Sequence, residues 1–430
     1  MAFVHFSRKT NRLGLCVVLG LVASTAAVAQ KPAAARKTSP VAKPTPPAAT
    51  TPVAKSITPP TSNYWVYVGA ESADKIHRVR FGPSGAVVEK TIDVGELAAE
   101  MEGPHGLQIS RDGKYLYMTT GHGTPDGKLW KYDLGPDTLI GPGTFLGKFP
   151  ASIDVTPDGL YTFSANFNLH GAMVPSSISV VYTPTLTEMA QIETCTMPHG
   201  SRISPNGMLQ YSGCMMDDQL VEIDTRTFQV ARRFSLAKGK EGPINMKAPL
   251  AMEGHDMSAM RADSAQAKQA MDASEGHGVS MSATCSPTWA QPSSDGRHIY
   301  VACNKADAIL EVDRDSWSVS RHLKSGRGPY NLAVTLDGNY LVATLKQSAG
   351  FEVFDLAAGK SIASFKNSTT VAHGIALSPD SRYAFVSSEG VGAAPGKVDV
   401  YDLKALAKVA TVDVAQQSGG ITFWKMESAR

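Results

Sequence analysis

A unit of about 40 residues written again and again, a hairpin signal inside each unit, and partial units at the two ends that complete one another predict an all-β fold. The fold expected is a seven-bladed β-propeller of four-stranded antiparallel blades. The unit is plainest in PHGLQISRDGKYLYMTT (residues 104–120), PHGSRISPNGMLQYSGCMM (198–216) and HGIALSPDSRYAFVSS (373–388).

Each unit opens on a short strand (GLQIS, SIDVT, GSRIS, NLAVT, GIALS) and turns at DG, NG or DS. It continues into an alternating, aromatic-rich strand (KYLYMTT, MLQYSG, HIYVAC, NYLVAT, RYAFVS), which together make hairpin signals. A third strand with an apolar-acidic ending follows (KLWKYDL, LVEIDT, ILEVDR, FEVFDL, KVDVYDL), and a fourth runs to the next break. With no helical segment between strands, radial repetition of four-stranded sheets describes this better than a sandwich. Units begin near His105, Ala151, His199, Thr288, Tyr330 and His373. Tyr64–Gly95 supplies only the later three strands of a unit, and Gly419–Met426 (GGITFWKM) reads as a lone first strand. Joined, they close the ring and remove its exposed edges.

Residues 1–29 read as a signal peptide: Arg8, Lys9 and Arg12 precede the apolar run LGLCVVLGLV, and Ala27-Val28-Ala29 supplies a small-residue cleavage pattern. The run is too short to span a bilayer, so the mature chain, cut near Ala29, is expected in the periplasm or outside the cell, with no transmembrane segment. Residues 30–62, mostly Ala, Pro, Thr and Lys, have the composition of a disordered tether. The propeller takes residues 63–430. Net charge is +2, but residues 1–62 carry eight basic residues and no acid, so the folded part is mildly acidic and gives no reason to expect nucleic acid. A monomer is expected.

The units PHGLQISRDGKYLYMTT, AHGIALSPDSRYAFVSS and KVDVYDL resemble the YVTN-type repeat of exported bacterial seven-bladed propellers, a group that overlaps in sequence style with lactonase-like propellers. The likeness covers nearly all of residues 63–430 and implies the fold. The PHG wording is also similar to virginiamycin B lyase propellers. Their metal and acid-base histidines find no residue-by-residue match here, and that activity is not carried over.

The repeat breaks at 237–284, an insertion containing APLAMEGHDMSAMRADSAQAKQAMDASEGHGVSMS, whose middle has helix-forming composition. His255, Met257, Met260 and His277 mix imidazole with thioether, a donor set suited to copper, while methionines could equally pack a lid. Strand directions place the insertion on one face with His105, His199 and His373, with the strand-two endings His122, His170, Cys214-Met215-Met216 and Cys303, and with the acids Glu102, Asp217, Asp218 and Glu389. The opposite face, built by the hairpin turns, is expected to be bland. The three repeated histidines are not required by the fold, since other units have Ala151, Thr288, Tyr330 and Gly419 there. Strict alternation along the strand groups His105 with Leu107 and Ile109, so it points either into the channel or between blades.

Imidazole is the commonest metal ligand. His105, His199 and His373, with His122, Met215 and Met216 near them, are therefore the candidate metal ligands at the channel mouth, with copper preferred and zinc second. The four cysteines after residue 62 pair by position, Cys195 with Cys214 and Cys285 with Cys303, each pair spanning the first two strands of one unit, which reads as two disulfides. Two functions stand: an exported propeller that binds a metal, or a protein or small-molecule partner, at the insertion-bearing face, or a copper- or other metal-dependent enzyme acting on a small substrate. No GxSxG elbow, Walker loop, CxxCH haem site or HExxH helix occurs.

Overall fold

The structure, a computed structural model, describes residues 57–96, 100–122, 126–246 and 283–429. The signal sequence, nearly all of the tether and most of the insertion, with His255, Met257, Met260 and His277, lie outside the described residues.

The fold is an all-β propeller of four-stranded antiparallel blades. Strands β1 (Ser62–Ala70), β2 (Lys75–Gly82) and β3 (Gly85–Asp93) open the chain. Then follow β4 (Pro104–Ile109), β5 (Tyr115–Thr120), β6 (Lys128–Asp133) and β7 (Thr138–Phe145), and β8 (Pro150–Val155), β9 (Tyr161–Asn166), β10 (Pro175–Tyr182) and β11 (Thr187–Thr196). Next come β12 (Pro198–Ile203), β13 (Leu209–Cys214), β14 (Gln219–Asp224), β15 (Gln229–Ser235) and β16 (Gly242–Ile244). After the insertion run β17 (Pro287–Pro292), β18 (His298–Cys303), β19 (Ala308–Asp313) and β20 (Ser318–Lys324), then β21 (Pro329–Val334), β22 (Tyr340–Leu345), β23 (Gly350–Asp355) and β24 (Lys360–Lys366). Last are β25 (Val371–Leu377), β26 (Tyr383–Glu389), β27 (Gly396–Asp402), β28 (Ala407–Val414) and β29 (Ser418–Ser428).

Sheets β4–β7, β8–β11, β21–β24 and β25–β28 each pair in sequence order, and β29 pairs antiparallel with β1 to complete the sheet of β1, β2 and β3. Strands β12–β16 and β17–β20 share one nine-stranded sheet, joined by a single parallel pair, Gly200 with Trp289. Strand β16 is an addition: the first residues of the expected insertion extend the outer edge of β15 instead of leaving the sheet.

The hairpin turns explain the recurring DG, NG and DS. The Ser110 hydroxyl donates to Asp112 Oδ1 at 2.7 Å, and the next residue, Gly113, has φ +70°. Ser204 with Asn206 and Gly207, and Ser378 with Asp380 and Ser381, repeat the device. Positive φ is why glycine prevails there. Aromatic and β-branched residues of the second and third strands bury between neighbouring blades, as where Tyr64, Val66 and Phe81 meet Tyr383, Phe385 and Val400. Each such aromatic contributes burial that costs about 3–5 kcal/mol to remove. Both expected disulfides are present, Cys195–Cys214 and Cys285–Cys303. Among the described residues no helix is long and apolar enough to cross a membrane.

Candidate functional site

The innermost strands carry an irregularity at one fixed place. Register slips between Pro104 and Leu107, Pro198 and Ser201, Pro329 and Leu332, and Ala372 and Ile375. An extra residue of this kind re-aims the side chain it carries. His105 therefore does not follow the simple alternation that would group it with Leu107. It joins His199, Tyr330 and His373 in one buried aromatic set. Ring centroids lie 5.2 Å apart for His105 and His373, 6.3 Å for His105 and His199, 5.2 Å for His199 and Tyr330, and 4.9 Å for Tyr330 and His373.

A second set comes from the ends of the second strands. Glu71 follows β1, Lys346 follows β22 and Glu389 ends β26. Glu71 is buried and its carboxylate spans two imidazoles: Oε1 lies 3.2 Å from His105 Nδ1, and Oε2 lies 2.8 Å from His122 Nδ1. Glu71, His105 and His373 each offer one ligand atom, and these lie within 4.8 Å of one another. Gly419 makes the approach possible, because a Cβ there would sit 2.3 Å from Glu71 Oε1 and 3.5 Å from His105 Nδ1. On the other side of His373, Glu389 Oε1 is 3.8 Å from His373 Nε2 and 3.6 Å from Lys346 Nζ, and that ammonium lies 4.3 Å over the Tyr330 ring.

Burial pushes the Glu71 carboxyl up, and the Glu71 hydrogen bond pushes the His122 imidazole up, so the pair holds a proton more firmly than either group alone. Burial lowers Lys346. His199 is the opposite case, brought down to about 4 by burial. Its Nδ1–H donates to the Thr288 carbonyl at 2.9 Å, and its Nε2 accepts from the Tyr330 hydroxyl at 2.9 Å. Both ring nitrogens are thus engaged, and His199 stands beside the donor group instead of within it.

Met215 lies in an apolar cluster with Phe149, Ala151, Phe167 and Met197, with Met216 against it. That cluster borders the imidazoles, since the Phe149 ring is 5.2 Å from both His105 and His122, and Phe167 is 4.8 Å from His199. His170 is exposed, its ring 6.1 Å from His122. Three of the candidate acids hold backbone: Glu102 accepts from Glu96 N, Asp217 from Thr196 N, and Asp218 from the N–H groups of Thr284, Cys285 and Ser286. Only Glu389 of that set stands at the imidazoles. Beneath them, a cavity of about 30 Å³ reaches down to Arg202 and Trp289. That is room for about two waters, not for an organic molecule.

Residues 147–420, more than half of the chain, match the YNCE-like beta-propeller family. The chain belongs to that family. No curated protein matches it. Solved structures of similar fold include two of low sequence identity. A functionally unknown protein from Desulfotomaculum acetoxidans DSM 771 is 15% identical with a TM-score of 0.58, covering 84% of this chain and 98% of its own. Kuenenia stuttgartiensis Hydrazine Synthase is 17% identical with a TM-score of 0.50, covering 72% of this chain and 81% of its own. Within this YNCE-like chain, Glu71 and Lys346 escaped the sequence reading although the signal was there. Counting six residues on from Trp65, Tyr340 and Tyr383, which head the aligned part of each second strand, gives Glu71, Lys346 and Glu389.

Proposed function

We propose that this chain is an exported seven-bladed propeller that binds a divalent transition-metal ion at the mouth of its central channel, through Glu71, His105 and His373. The observation that carries the reading is the convergence of one carboxylate and two imidazoles, all buried, with donor atoms within 4.8 Å of one another. Bonds of 2.0–2.2 Å put tetrahedral donors roughly 3.4 Å apart, and Glu71 Oε1 and His105 Nδ1 are 3.2 Å apart. Copper(II) is the first ion to test and zinc the second, because both accept nitrogen with oxygen and copper stands higher in the affinity order. The ion would displace the proton held between Glu71 and His122, so affinity should rise with pH. Two disulfides support an oxidising compartment. Seven blades is the count obtained if the nine-stranded sheet is read as two, a reading supported by the single residue pair that joins its halves. The repeat wording supports the YVTN-type likeness.

A metal-dependent enzyme is the second reading, favoured by the Lys346 ammonium and Tyr330 hydroxyl beside His373, which could position or protonate a small ligand on the ion.

The test is metal stoichiometry and affinity of the mature protein by titration with Cu²⁺ and Zn²⁺, against Glu71→Gln, against a His105→Ala/His373→Ala double variant, and against His199→Gln as control. One ion per chain, with at least a 100-fold loss in the first two variants and near-parent affinity in the third, is expected. Full parent metal content in the double variant would refute the site.

A further inference from the structure

The face built by the hairpin turns is not bland. A cleft of about 690 Å³ opens between the β4–β7 and β8–β11 blades, lined by Arg111, Asp112, Tyr115, Tyr117, Lys131 and Asp158 among others. Its size lies within the roughly 300–1,000 Å³ of small-molecule sites.

Lys131 is the unexpected member. In the register of second and third strands, Tyr67 faces Arg78, Tyr117 faces Lys131, Tyr211 faces Glu222 and Tyr300 faces Glu311. Three of these four charges are matched within their own surroundings. Arg78 meets Glu89 at 3.1 Å, Glu222 meets Arg232 at 2.7 Å, and Glu311 meets Arg321. Lys131 is 8% exposed, yet among the described residues it has no ion pair. Its Nζ donates to the Thr183 carbonyl at 3.2 Å and rests 4.1 Å over the Tyr115 ring. An ammonium has three donors, and burying its charge without a counter-ion is costly.

We infer that the cleft is a binding site for the carboxylate end of a short zwitterionic ligand, an amino acid or small peptide, with Lys131 as the buried counter-charge. The rim fits the other end. Asp112 and Asp158 stand there with one oxygen each held by turn donors, Ser110 and Lys114 N on the first, Thr156 and Leu160 N on the second. The second Asp112 oxygen is shared with the exposed Lys114 ammonium at 3.4 Å, so Asp158 is the acid that attracts a ligand ammonium, and both carboxylates repel a multiply charged phosphate. Arg111 is exposed and lines the same cleft, a second cation in it. Burial also pulls the Lys131 ammonium below its ordinary range, and an arriving carboxylate would reverse that. This site is on the face opposite the metal donors and does not depend on them.

The experiment is calorimetric titration of the mature protein with L-alanyl-L-alanine, its C-terminal amide and inorganic phosphate, repeated on Lys131→Met. Methionine keeps most of the side-chain volume and removes the buried charge, so the variant is expected to melt at the parent temperature or above. The dipeptide is expected to bind the parent with a Kd below about 1 mM, with the amide, phosphate and the variant each at least tenfold weaker. Equal dipeptide affinity in Lys131→Met, or no binding to the parent tighter than about 10 mM, would overturn the site. Phosphate binding as well as the dipeptide would overturn the zwitterion class.

Discussion

Acidification should destabilise this propeller through His199 more than through any neighbour at the channel mouth. The imidazole is 2% exposed and its folded pKa lies at about 4, against 6.5 for an ordinary histidine. A depressed base is neutral in the folded state, while the unfolded chain takes up a proton near 6.5. The unfolded state therefore binds more protons between those values, and stability present above pH 6.5 is lost as pH falls toward 4. A displacement of about 2.5 pH units at 1.36 kcal/mol each gives about 3 kcal/mol. Glu71 and His122 act with the opposite sign, since their raised values favour the folded state at low pH. The comparison must therefore be between parent and His199→Gln, which removes the titrating ring and leaves the other groups in place. Urea unfolding at pH 7, 5.5 and 4 should show the parent losing about 3 kcal/mol more than the variant across that range. Equal acid sensitivity in the two proteins would refute the assignment, and a larger loss in the variant would mean that His199 is protonated in the folded protein.

Gly419→Ala should drive a methyl group into Glu71 Oε1, at 2.3 Å, displacing the carboxylate from His105. About 1–3 kcal/mol of stability should be lost with the metal affinity, read by thermal melting and titration together. Replacing Cys195 and Cys214 with serine should cost about 3 kcal/mol in urea unfolding, the value for a bridge closing a loop of this order, here a separation of 19 residues. A loss under about 1 kcal/mol would mean that the bridge adds nothing to the sheet ladder.

The blades were legible because every hairpin declares itself: a hydroxyl or carboxylate at fixed offsets and a residue with positive φ leave a pattern that Ser110, Asp112 and Gly113 repeat around the ring. The disulfides were legible because each pair occupies the same two places in successive units. The direction of His105 was not, since it depends on a register slip between Pro104 and Leu107 that strict alternation does not contain. Glu71 was hidden for another reason. Acidic residues at strand ends are usually solvated, and its shared position with Lys346 and Glu389 does not tell that this one is drawn inward against Gly419. The engagement of His199 depends on Tyr330 and Thr288, which are 131 and 89 residues away along the chain. The unpaired state of Lys131 became visible only when its register mates could be compared in space.

The pairing of β29 with β1 has a bearing on when the proposed metal site can form at all. Glu71 comes from just after the first strand described and Gly419 from the last one, so the carboxylate and the gap that admits it are brought together by opposite ends of the polypeptide. A chain halted before residue 419 would hold every imidazole and still lack the seat for the ion. Occupancy would then report that synthesis and closure are complete, and a bound ion would act as a clasp across the seam where such a ring is easiest to unzip.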